Sequence, residues 1–272
     1  RDVNLIEVPD CRFTMNDYGS DGIYITPRRV GEDGWELSIK ALIDNADCSH
    51  KARFTLIDAD GNEKASTIAD LRPIISAKLP VEDPVLWNGR KNPYLYTVRC
   101  EIFDSTTEEV TDNIDIRTGL REYHIDSHKG FFLNGEHIKL QGVSRHQDRE
   151  NMGNAITEKQ HAEDVKIILD VGANSVRLAH YQQNSYFYDL CDESGLLVWA
   201  EVPVISRFSP KRNENAEQQL VELIKQNYNH PSIFCWGIEN EITIAGSANK
   251  KLITFLKHMH KVARHLDPTR YT

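Results

Sequence analysis

The chain has 272 residues, 40% of them hydrophobic and 27% charged, the composition of a globular protein with room for two domains and a sizeable core. A formal charge of −9 argues against a nucleic-acid or anionic-membrane partner, because either would require a basic face. Five cysteines, odd in number and without CxxC pairing, point to neither a disulfide framework nor a zinc site.

Cys191 and Cys235 fall in apolar helix and strand patterns and read as core thiols. No apolar run reaches the ~18–20 residues that span a bilayer. The chain begins Arg1-Asp2-Val3, without an initiator Met or a signal peptide, and reads as an excised piece of a longer protein.

Residues 1–8 form a strand-like run with no partner ahead of it, so residues 1–21 read as the tail of an upstream domain and a linker. From Gly22 the pattern is clearer. Trp35, Leu37, Ile39, Ala41 and Ile43 alternate with Glu36, Ser38, Lys40 and Leu42, the period of a half-buried antiparallel strand. Residues 54–58 follow, then the hairpin signal Asp60-Gly61-Asn62. Further strands fit Ile74–Leu79 and Thr97–Phe103, with Ile114 and Ile116 near the end of the run. Short strands with turns between them predict an immunoglobulin-like β-sandwich over residues 22–121. Its aromatic residues Trp87, Tyr94 and Tyr96 are better explained by packing than by a sugar platform.

The second half, residues 122–272, changes period. A hairpin turns at Asn134-Gly135, and its second strand is expected to run on to Ser144-Arg145-His146. A helix capped by Thr157 and Gln160 ends at Gly172. A strand over Ser175–Ala179 ends on His180-Tyr181. A helix over Ser185–Glu193 stops at Gly195, and the strand Leu196–Ala200 ends on Glu201. A helix over Glu214–Tyr228 leads to the strand Ser232–Ile238, which ends on Glu239-Asn240-Glu241. A last helix, Ala248–Leu266, stops at Asp267-Pro268. Four strand–helix units predict parallel strands with right-handed crossovers, the first half of a (β/α)8 TIM barrel. Exposed edges on the first and fourth of these strands argue for association, including homo-oligomerisation.

Polar residues gather at one end of all four strands: Arg145 and His146, Arg177 and His180, Glu201, then Asn240 and Glu241. Any one of these alone is explained by a structural hydrogen bond or a solvated loop. Four convergent strand ends are not. Carboxylates, imidazoles, an amide and an aromatic wall at Trp236, with no metal cage, suit glycoside hydrolysis. One carboxylic acid must protonate the leaving oxygen, which needs a raised pKa. Glu241, expected to be held at the end of an apolar strand, fits that role. Asn240 is placed to bond a sugar hydroxyl, His146 and His180 to bind hydroxyls as neutral donors, and Arg177 to keep a second carboxylate ionised.

Five segments carry a family resemblance: the PVLW…NPYLY block, FFLNGEHIKLQGVSRHQD, NSVRLAHYQQNSYFYDLCDESGLLVWAEVP, NHPSIFCWGIENE and the closing DPTR. In this order they resemble the middle of a glycoside hydrolase family 2 enzyme, most like the bacterial β-galactosidases. The resemblance implies a retaining double displacement on a terminal β-D-galactoside, with Glu241 as general acid/base and Asn240 as its sugar-contacting neighbour. His146, His180 and Arg177 match family active-site positions, and Glu201 matches an acidic position at the end of strand three. It implies a nucleophile on a strand beyond Thr272, a bacterial cytoplasmic or periplasmic setting, and no cofactor. The magnesium site of some members is not expected, because Pro203–Phe208 offers neither acid nor histidine. A β-glucuronidase of the same family and a non-catalytic carbohydrate-binding module are the alternatives.

Overall fold

The computed structural model of the protein describes residues 5–31, 34–244 and 249–272. Half of the expected opening strand, residues 1–4, lies outside them, as does Ala248, the expected start of the last helix. Residues 5–8 form no strand and are exposed.

Eight strands build the first half: β1 (Arg12–Phe13), β2 (Ile23–Val30), β3 (Gly34–Asp44), β4 (His50–Ile57), β5 (Glu63–Asp70), β6 (Ile74–Val81), β7 (Tyr96–Asp104) and β8 (Val110–Thr118). β3 pairs antiparallel with β2, β6 and the short β1, while β5, β4, β7 and β8 form the second antiparallel sheet in that order. The period-two pattern of β3 is met residue by residue. Trp35, Leu37, Ile39, Ala41 and Ile43 are buried against Phe54, Leu56, Val98 and Cys100 of the facing sheet. The result is the expected immunoglobulin-like sandwich.

Three short strands follow: β9 (Tyr123–Asp126), β10 (Gly130–Leu133) and β11 (Glu136–Ile138), in the antiparallel order β11–β10–β9. Four strand–helix units complete the chain: β12 (Gly142–Arg145) and α1 (Glu158–Asp170), β13 (Ser175–Leu178) and α2 (Ser185–Ser194), β14 (Leu197–Glu201) and α3 (Asn213–Gln226), β15 (Ile233–Gly237) and α4 (Lys250–Leu266). Their strands pair in parallel in sequence order, as half a TIM barrel requires. Thr157 and Gln160 form the expected capping box, and Gly195 takes the left-handed φ of 72° that ends α2. Among the described residues no helix is long and apolar enough to cross a membrane.

Two expectations are corrected. The strand expected to run from Glu136 to His146 is two strands in two sheets. Asn174 clamps the turn between them: its Oδ1 accepts from the Gln141 N–H at 2.8 Å and its Nδ2 donates to the Lys139 carbonyl at 2.9 Å. The edge of β15 is also not left bare. The Tyr271 N–H donates to the Phe234 carbonyl at 3.0 Å, and the Trp236 N–H donates to the Tyr271 carbonyl at 2.9 Å.

The two faces of the parallel sheet divide the side chains. Val176, Leu178, Val198, Ala200 and Trp236 pack with Phe187, Leu220, Leu223 and Met259 of the helices. Register puts Arg177, Trp199 and Cys235 side by side on the other face. Trp87 is fully buried where the sandwich meets the barrel, and its Nε1 donates to the Asp192 carbonyl at 2.9 Å. With Tyr96 buried as well, the packing reading of these aromatic residues holds.

Candidate active site

Glu201 anchors the cluster at the carboxyl ends of the strands. It closes β14 with its side chain 1% exposed. Arg177 of β13 donates from Nε to its Oε1, and His180 Nδ1 lies 2.8 Å from its Oε2. Gly237 makes room for this: a Cβ there would stand 2.4 Å from Trp199 Nε1 and 2.6 Å from Glu201 Cγ. Arg177 Nη2 also donates to Asn240 Oδ1 at 2.6 Å. The His146 ring meets the His180 ring edge-on, with centroids 5.2 Å apart.

This network orients every polar group in it. In the neutral tautomer whose Nδ1–H is donated to Glu201, His180 presents Nε2 as an acceptor, not as the donor expected from the sequence. With Oδ1 taken by Arg177, Asn240 presents its two Nδ2 hydrogens as donors. The loop after β14 fixes the Asn240 backbone, whose N–H donates to the Val204 carbonyl at 2.9 Å and whose carbonyl accepts from the Ser206 N–H at 3.0 Å.

His146, Arg177, His180, Glu201 and Asn240 are therefore brought together. Three expected residues stand differently. Trp236 is no wall of this site. It is fully buried on the helix face, and its Nε1 donates to Asp267 Oδ2 at 2.9 Å. Glu241 lies past the end of β15 in a turn with φ 50°, so it is exposed rather than held in the apolar strand. Its carboxylate makes no hydrogen bond or ion pair among the described residues. Arg145 also faces away. It is buried over the Phe187 ring, with its carbon 3.9 Å from the centroid, and is paired with Asp164 at 2.7 Å.

Sequence reasoning missed Trp199, which register places beside Arg177 with 39% of its surface exposed. The available signal was parity, since residues two apart in a strand share a face and Glu201 stood out at the strand end. It also passed over Tyr181, whose ring centroid lies 6.1 Å from that of His146. The residues Pro203–Phe208 supply no acid or imidazole.

The family model described as "Glycosyl hydrolases family 2, TIM barrel domain" matches residues 125–272, and that described as "Glycosyl hydrolases family 2" matches residues 21–121. A β-glucuronidase of Bacteroides fragilis is 36% identical across the whole chain, which covers 41% of that protein. A β-galactosidase of Thermoanaerobacter pseudethanolicus is 30% identical over 95% of the chain and 34% of its own length. The crystal structure of an FMN-binding β-glucuronidase from F. prausnitzii L2-6 superposes with a TM-score of 0.92 at 41% identity, over 97% of this chain and 40% of that one. The chain thus spans less than half the length of these relatives. Two family models in succession, a relative matched along the whole of this chain and a shared fold lead to one assignment: the chain belongs to glycosyl hydrolase family 2.

Proposed function

We propose that the chain supplies the acid/base half of a retaining exo-β-glycosidase, with Glu241 as general acid/base. The observation that carries this reading is the Arg177–Glu201–His180–Asn240 network at the carboxyl ends of three parallel strands. A sugar hydroxyl can accept from Asn240 Nδ2 and donate to His180 Nε2, which fixes the ring against one wall. Glu241 then protonates the leaving oxygen and later takes a proton from water. The bound sugar supplies the dry surroundings that Glu241 lacks here.

A retaining mechanism needs a second carboxylate about 5–5.5 Å from the first. Glu201 is committed to Arg177 and His180, so in this reading the nucleophile comes from outside residues 1–272. The isolated polypeptide is then expected to hydrolyse aryl β-glycosides negligibly, and robust turnover by it would overturn the proposal.

For the sugar, we propose a β-glucuronide. A relative at 36% identity and the structure at 41% carry that name, and a relative at 35% is named a putative β-glucuronidase. The β-galactoside reading rests on the Thermoanaerobacter relative at 30%, on a crystal structure titled a putative β-galactosidase at 37%, and on the HYQQN and GVSRHQD segments. Rates of the full-length protein on matched aryl β-glucuronides and β-galactosides separate the two, and sugar binding without hydrolysis would make it a binding module. Glu241→Gln in the full-length protein tests the acid/base role. Loss is expected to be severe for poor leaving groups and milder for activated ones, which need little protonation. Equal loss on both would remove Glu241 from the role.

A further inference from the structure

Far from the strand ends, the fold brings together three residues whose sequence spacing gives no metal signature. Cys11 precedes β1, and Asp47 and His50 lie in the β3–β4 connection and at the start of β4. The Cys11 sulfur, an Asp47 oxygen and a His50 ring nitrogen all lie within 4.8 Å of one another. We propose that Cys11, Asp47 and His50 form a binding site for a thiophilic divalent cation of the zinc type, clipping the segment before β1 onto the sandwich.

The geometry is close to what such an ion needs. Nitrogen and oxygen ligands about 2.0–2.1 Å from a tetrahedral ion stand roughly 3.3 Å apart. His50 Nδ1 lies 2.9 and 3.1 Å from the two Asp47 oxygens, so small outward shifts admit the metal in place of the shared proton. The Asp47 carboxylate is already fixed by the backbone that follows it, because its Oδ1 accepts from the Ser49 N–H at 2.8 Å and from the His50 N–H at 3.2 Å.

Cys11 is held from both sides. Asn45 Nδ2 donates to the Asp10 carbonyl at 3.1 Å and to Asp10 Oδ1 at 2.9 Å, and Arg12 pairs with Asp44 at 3.1 Å. Both chain neighbours of Cys11 are therefore tied to Asp44 and Asn45, just ahead of the other two ligands. Asp10 and Asp112 add negative charge around the sulfur, which a dication offsets. Three protein ligands leave a fourth position for water on the exposed side of Asp47. Binding replaces the Cys11 thiol proton, which is released to solvent.

Cobalt(II) is the probe. The full-length protein, free of any affinity tag and stripped with a chelator, is titrated with Co²⁺ and followed by absorbance. A near-ultraviolet thiolate-to-cobalt band is expected, with displacement by Zn²⁺. Cys11→Ser abolishes the band, while Cys48→Ser, at the neighbouring exposed thiol, leaves it intact. His50→Ala, at a partly exposed position outside the core, weakens Co²⁺ affinity by at least about tenfold. Absence of the band in the unmodified protein, its survival in Cys11→Ser, or unchanged affinity in His50→Ala would overturn the proposal.

Discussion

At the scale of single residues, Glu201 decides the most. It is buried, it accepts from two cationic or polar partners, and through Arg177 it fixes the amide of Asn240. Glu201→Gln keeps the shape but sets an NH2 group against either Arg177 or the Nδ1 hydrogen of His180. Breaking a fully buried pair costs about 3–5 kcal/mol. Arg177 is 35% exposed and recovers water, so a loss of about 1–3 kcal/mol is expected from urea unfolding midpoints at neutral pH. A change below about 0.5 kcal/mol would mean that the network does not hold the strand ends. Glu201, Arg177, His180 and Asn240 were legible because polar residues at the ends of apolar strands stand out. Trp236 was misread because Ile233–Trp236 is apolar throughout, and a strand buried on both faces shows no alternation to say which way a side chain points.

At the scale of elements, the closing DPTR segment ties α4 to β15. Arg270 donates from Nε to the Ile233 carbonyl at 2.7 Å and from Nη2 to the Tyr228 and His230 carbonyls, both at 2.7 Å. Its Nη1 donates to Asp267 Oδ2 at 2.7 Å, the oxygen that also takes the Trp236 N–H. Burial pushes the Asp267 carboxyl up. The Arg270 charge and hydrogen bonds from Thr269, Arg270 and Trp236 outweigh it and hold the group down at about 2. An unfolded aspartate titrates near about 3.9. Since the folded value is the lower one, the stability is fully present above pH ~4 and is lost as pH falls toward 2. The difference is worth on the order of 2 kcal/mol. Asp267→Asn should therefore cost at least that much at pH 7, and its urea midpoint should converge on that of the unsubstituted protein between pH 4 and 2. Parallel midpoints across that window would show that the carboxylate is not what Arg270 needs. The stop of α4 at Asp267-Pro268 was readable from proline alone. The split between β11 and β12 was not, because only the long-range Asn174 clamp marks it.

At the scale of the whole molecule, the period change between residues 22–121 and the rest was plain, but how sandwich and barrel join was not. In addition to Trp87, part of the joint is made by polar side chains whose partners lie some two hundred residues away. β2 is an edge strand, and the Asn229 side chain caps that edge as a neighbouring strand would. Its Oδ1 accepts from the Ile25 N–H at 2.9 Å and its Nδ2 donates to the Ile23 carbonyl at 2.8 Å. Beside it the Tyr228 and Thr26 hydroxyls meet at 2.8 Å. Both isoleucines are buried, so Asn229→Ala leaves an N–H and a carbonyl without partners at about 1–3 kcal/mol each. Asn229→Asp keeps the acceptor for Ile25 but turns a carboxylate oxygen toward the Ile23 carbonyl, so it should be no better tolerated than alanine. In calorimetry the loss should loosen the joint before it melts either core, separating an earlier barrel transition from a later sandwich transition. Asn229→Ala unfolding in one transition, within about 0.5 kcal/mol of the unsubstituted protein, would move the coupling to Trp87 and the buried contacts around it.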